Sequence, residues 1–114
     1  AELAAAAKDA FVDVGVIASP TVPLSAPNIE AVAQGDAYAA ANIRMLRNTC
    51  IANLLGLCAL TVPVGLDALG LPVGLQLFAK AGDESRLIEI GLAVESILGA
   101  PAARLGEPDL ISAH

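Results

Sequence analysis

The chain has 114 residues, of which 56% are hydrophobic, 16% charged and 3% aromatic, with no Trp and a net charge of −6. Its apolar share exceeds the about 45–50% of an ordinary soluble domain even before glycine is counted, which excludes disorder. The negative charge excludes a basic nucleic-acid footprint, and Arg47, Asn48, Asn53 and Pro63 interrupt every stretch that would otherwise be long enough to span a membrane. A single domain of this size buries only about two-thirds of its unfolded surface. Aliphatic area is therefore expected on the outside, where it marks an interface.

Residues 2–14 carry a helical period, with Leu3, Ala7, Ala10, Phe11 and Val14 on one stripe and Glu2, Asp9 and Asp13 opposite. Glu2, Lys8 and Asp9 also break up the alanines, so no signal peptide is expected. Gly15 ends the helix, and the apolar run Val16-Ile17-Ala18 predicts a short buried strand. From Ser19 to Gly35 three prolines and the lack of a period predict an extended loop, long enough to suggest a functional role. A helix is then predicted from Asp36 to Leu55, with Asp36 as N-cap and Gly56 as its stop. Ile43, Leu46, Cys50, Leu54 and Leu57 form its stripe; Asn42, Thr49 and Asn53 flank it, and Arg44, Arg47 and Asn48 lie on the far side.

Residues 59–64 and 73–79 alternate as strands, and the turn residues between them predict a hairpin near 58–79. Pro63 cannot donate to a ladder and so points to an edge, a bulge or a strand end. Asp83 is placed to cap a last helix, whose stripe is Leu87, Ile90, Gly91, Val94, Ile97 and Leu98, and Gly99 with Pro101 stops it. The tail, 100–114, is expected to be loosely ordered. The order is αβ–loop–αββα, an α/β arrangement in a single unit over 1–114.

Little in this chain could carry chemistry. No serine sits in a nucleophile turn, and the only His is the last residue. Lys8 and Lys80 read as solvated, the pair Asp83-Glu84 as a helix start, and Glu89 with Glu95 as a solvent-facing surface. Gly65, Gly70 and Gly74 do not form a phosphate-binding loop. Cys50 and Cys58 read as reduced, buried thiols of a cytoplasmic protein, and no metal site or cofactor is expected. Asn53, beside the apolar stripe near a helix end, reads as a satisfied structural amide.

The stretch Arg47-Asn48-Thr49-Cys50-Ile51-Ala52-Asn53-Leu54-Leu55-Gly56-Leu57, followed by Thr61-Val62-Pro63-Val64-Gly65, resembles the C-terminal segment of the amidase signature family. Gly70-Leu71-Pro72-Val73-Gly74-Leu75-Gln76-Leu77, Asp83-Glu84 and the following helix extend the resemblance, as does the apolar run into Ser19-Pro20-Thr21. Cys58 departs from it, since the family usually carries Pro there. The resemblance implies a large mixed sheet flanked by helices. It also implies amide hydrolysis through an acyl-enzyme formed by a Ser–cis-Ser–Lys triad that lies upstream of the matched segment. No catalytic residue is then expected in this chain, and Asn53 and Thr49 become candidates for a substrate-pocket wall. The expected partners are the missing N-terminal part of the same enzyme and, through the apolar face, a second copy; nucleic acid and membrane are not expected. Glutamine-using amidotransferase A subunits place an acidic residue seven positions before the helix-end Asn, where this chain has Leu46. A free-standing amidase of a small carboxamide is therefore preferred over that subunit and over a non-catalytic self-associating module.

Overall fold

The structure is a computed structural model that describes residues 2–106, without the side chains of Glu2 and Ala4. In chain order it contains α1 (Glu2–Ala10), β1 (Ile17–Pro20), α2 (Ile29–Val32), α3 (Asp36–Leu46), α4 (Thr49–Leu55), β2 (Cys58–Leu66), β3 (Pro72–Ala79), α5 (Glu84–Leu98) and α6 (Pro101–Leu105). The architecture is α/β, as expected, and the 58–79 hairpin forms. β3 is its central strand, antiparallel to β2 on one side and to β1 on the other. Pro63 meets two of its expected roles at once: β2 is an edge strand, and its register slips between Pro63 and Gly65.

Alternation along β3 gives the sheet two unlike faces. Leu77 and Ala79 pack under α5 with Leu87, and Val16, Leu60, Leu75, Ile90 and Val94 close around them. Gly91 brings the helix backbone down onto the strands, because a Cβ there would collide with the Leu60 side chain. Phe78 points to the opposite face and meets Phe11 and Ala52 beneath α1 and α4. The core is small: among the described residues eight apolar ones are buried, and Ile29, Leu54 and Ile97 stand more than three-quarters exposed.

Several local expectations are corrected. α1 stops at Ala10 rather than Val14, because Phe11 leaves the helical path and is buried against Phe78, which leaves Val14 exposed. The strand expected to be buried is an edge, and Ile17 and Ala18 are exposed on it. The loop contains one helical turn, α2, capped by Asn28 Oδ1 accepting from Glu30 N at 2.8 Å. The helix expected over 36–55 is broken at Arg47–Asn48, where Arg47 N reaches Arg44 O and Ile51 N reaches Asn48 O in tighter i→i−3 turns. Thr49 Oγ1 donates to Leu46 O at 3.1 Å across the break, a competition that bends helices.

The break changes the helical phase, so Ile43, Leu46 and Leu54 are exposed and Ala52 is the buried residue of α4. Gly56 ends α4 in the left-handed conformation expected of a stop, with φ 63°. At the other helix, Gly35 occupies the cap position and Asp36 is already helical. Asp83 does cap α5 by position, yet makes no side-chain cap bond. In the tail expected to be loosely ordered, Pro101 opens α6 as a first-turn proline. Arg104 then fastens that helix, donating from Nε to Gly99 O at 3.0 Å and from Nη2 to Pro63 O at 2.8 Å. Residues 107–114 lie outside the described residues. Among the described residues no helix is long and apolar enough to cross a membrane.

Candidate functional site

The sheet face that carries Phe78 turns polar one row further along. Ser19, Gln76 and Thr61 stand side by side across β1, β3 and β2, in the register set by the strand pairing. In the row beyond, β3 carries Gly74. A Cβ at that position would lie 2.7 Å from Thr21 Oγ1 and 2.8 Å from Thr61 Cγ2, so the absence of a side chain lets the two threonines close over the strand. Their hydroxyls meet at 3.3 Å. Gln76 is 4% exposed, and its Oε1 has no partner among the described residues.

A groove of about 420 Å³ opens beside this cluster, walled by Thr21, Leu24 and Ser25 of the loop and by Thr61, Asp67 and Gly74 of the hairpin. Asp67 organises the hairpin turn: Oδ1 accepts from Leu69 N at 2.8 Å and from Leu71 N at 2.9 Å, while its own N–H donates to Leu71 O at 2.8 Å. The Ser25 hydroxyl beside it and the N–H of Leu71, with a lesser contribution from Leu69 N–H, hold its carboxyl below the usual carboxylate range against an opposing effect of burial. A second, apolar cavity of about 210 Å³ lies under α1 and α4, lined by Phe11, Ile51 and Phe78 with Ser19 and Asn48 at its polar rim.

The two pocket-wall candidates fall one turn apart on α4, and so share a flank of that helix. Thr49 is half-buried, with its hydroxyl spent on Leu46 O. Asn53 is exposed and makes no hydrogen bond among the described residues, which overturns its reading as a satisfied structural amide. That task belongs to Asn48, expected on the far side of the helix. Its Nδ2 donates to Pro20 O at 2.7 Å and ties α4 to β1. Thr21 and Gln76 also escaped the sequence reading; the signal available was the polar residue at the centre of an otherwise apolar strand, Leu75-Gln76-Leu77. Lys80 is exposed and its carbonyl accepts from Cys58 Sγ at 3.1 Å; Cys58 and Cys50 are both free thiols. These residues offer hydroxyls, amides and one carboxylate.

The family model described as Amidase matches residues 1–88. A 2-amino-5-chloromuconic acid deaminase of Comamonas testosteroni is 50% identical over 100 residues, which cover 88% of this chain and 22% of that protein. Fatty acid amide hydrolases of Oryza sativa subsp. indica and Arabidopsis thaliana are 40% and 38% identical over 91 and 89 residues, covering 78% and 76% of this chain and 15% of each enzyme. Among solved structures, 6-aminohexanoate cyclic dimer hydrolase complexed with substrate superposes with a TM-score of 0.71 at 26% identity, over 82% of this chain and 22% of that one. The chain thus spans between about a seventh and a quarter of the length of these relatives. By the family match and by the 50% identity across most of its length, this chain belongs to the amidase family.

Proposed function

We propose that this chain is the C-terminal part of an amidase that hydrolyses a small-molecule carboxamide through an acyl-serine intermediate. The supporting observation is an incomplete wall: the polar cluster and its groove lie on a sheet face bordered by exposed apolar residues, and the matched relatives are several times longer. In this reading the serine attacks the amide carbon, the amine leaves with a proton delivered by the Ser–Lys relay, and water releases the acid. All three catalytic groups lie in polypeptide outside these residues. Thr49 and Asn53 line neither the groove nor the apolar cavity within these residues, and in this reading they wall a pocket that the catalytic part completes, with the unspent Asn53 amide free to meet substrate or that part. The exposed apolar residues of α3, α4 and α5 are covered by the rest of the enzyme, and any that stay bare seat a second copy. Two free thiols suit a cytoplasmic protein.

The test is to express the natural polypeptide that carries this sequence and assay release of amine from small aliphatic and aromatic carboxamides. Quenched reactions analysed by mass spectrometry should trap a serine ester whose acyl mass tracks the substrate. A natural polypeptide that lacks the upstream serines and Lys of the triad, or that releases no amine, refutes the proposal.

A further inference from the structure

The groove between the 19–35 loop and the β2–β3 hairpin has a one-sided chemistry. Its polar side chains are the hydroxyls of Thr21, Ser25 and Thr61 and the carboxylate of Asp67. Backbone donors around it are already spent: Thr21 N–H on Gly74 O, and the N–H groups of Leu69 and Leu71 on Asp67 Oδ1. Pro23 and Pro72, also in the wall, have no N–H to give. Residues 19–35 and 58–79, which build the loop and the hairpin, contain no Lys or Arg. The groove is therefore rich in acceptors, poor in donors and without a cation of its own.

Asp67 sets its charge. Oδ1 is taken up by the turn, whereas Oδ2 is closed to solvent and has no hydrogen bond among the described residues. The carboxyl nonetheless stays ionised at neutral pH, because the Ser25 hydroxyl beside it and the turn N–H groups lower its pKa. An anionic oxygen left in that state is costly, and a donor entering from the groove relieves it. A lone carboxylate is too little for a divalent metal such as calcium, which takes roughly six to eight oxygen ligands. The volume of about 420 Å³ lies within the about 300–1,000 Å³ of small-molecule sites, and the tip of one Lys or Arg side chain would leave most of it empty. Leu24 and Val73 supply an apolar wall for a short alkyl chain.

We propose that this groove binds a primary ammonium group carried on a short alkyl chain, the ammonium donating to Asp67 and to the hydroxyls of Ser25 and Thr61. Resting on the reading of the chain as part of an amidase, that ligand is the substrate, and the preferred carboxamide is one that also bears a free amino group.

Titration of the natural polypeptide at neutral pH with n-butylammonium, and with 1-pentanol as the uncharged control of similar size, tests the proposal. Amide ¹⁵N shifts of Leu69 and Leu71 report the Asp67 turn; they should saturate with the ammonium and stay unmoved by the alcohol at the same concentrations. Asp67→Asn retains an Oδ1 for the turn, removes the charge and should weaken ammonium binding about tenfold or more. Thr61→Val leaves the turn intact and should weaken it several-fold, which keeps the test decisive if the turn variant does not fold. Failure to saturate, equal binding of the alcohol, or binding undiminished by either substitution overturns the proposal. Carbodiimide coupling of Asp67 to a Lys of the upstream polypeptide, located by peptide mapping, also overturns it, because the groove is then filled from within. Amine release measured on the same preparation separates the two readings. Ammonium binding without hydrolysis fails the enzymatic proposal alone, and hydrolysis without ammonium binding fails this one alone.

Discussion

Placing a methyl group on Gly74 tests the geometry of the polar cluster directly. Gly74→Ala would set a Cβ 2.7 Å from Thr21 Oγ1, 2.8 Å from Thr61 Cγ2 and 3.3 Å from Thr21 Cβ. Two of these contacts are shorter than real Cβ atoms show, and both neighbours are short β-branched side chains with little freedom to yield. Overpacking of this kind costs about 1–3 kcal/mol. Separating the threonines also forfeits their 3.3 Å hydroxyl bond, about 0.5–1.5 kcal/mol. Restricting the unfolded chain returns only about 0.4–1 kcal/mol. The net expectation is a loss of roughly 1–3 kcal/mol, or about 1 M in urea midpoint for a protein with a slope of about 1–3 kcal/mol per M. Urea unfolding of Gly74→Ala should therefore show a lower midpoint at unchanged slope. Repeating the substitution on a Thr21→Ala, Thr61→Ser background removes Oγ1 and Cγ2 and should cost far less. An equal cost on both backgrounds, or none on either, refutes the close approach.

The two asparagines of the α4 region should behave oppositely. Asn48→Ala, which strips the donor from Pro20 O, should cost about 0.5–1.5 kcal/mol in urea unfolding, whereas Asn53→Ala should stay within about 0.5 kcal/mol. Leu87→Ala, at a residue 2% exposed under α5, should cost about 2–5 kcal/mol, with partial collapse of the helix onto Leu77 setting where in that range it falls. Asp67 has its folded pKa lowered, chiefly by Ser25, so the unfolded chain binds its proton more readily. Its stabilisation is present above the ordinary carboxylate pKa of 3.8 and fades as pH falls through the lower folded value. Unfolding midpoints measured from pH 6 down to pH 2 should thus fall less steeply in Asp67→Asn than in the parent, and identical slopes would refute the contribution.

The site was less legible than the fold, for a reason visible in particular residues. Gln76 sits at the centre of an apolar strand, but which face it shares, and that Ser19 and Thr61 flank it, depends on two registers that no local pattern encodes. Asn48 and Asn53 are both amides on one predicted helix. Only the break at Arg47–Asn48, and the rotation it introduces, decides that the first is bonded and the second bare. Ala-rich helices worsen the problem, because alanine tolerates either side of a stripe and leaves the period with little contrast.

Alternation in two segments, with Gly and Asp between them, was enough to specify the β2–β3 hairpin, since a strand's period and a turn's chemistry are local properties. Gly56 and Gly99 likewise marked helix ends through backbone freedom alone, and the residue blocks around Asn53 and Gly74 carried the family likeness. The tertiary structure decided what depends on distant partners: β1 docking on β3, Phe11 leaving its helix for Phe78, and Arg104 reaching back to Pro63. Burial and hydrogen bonding across 40 residues of chain, as between Thr21 and Thr61, are settled by packing competition that a local pattern does not contain.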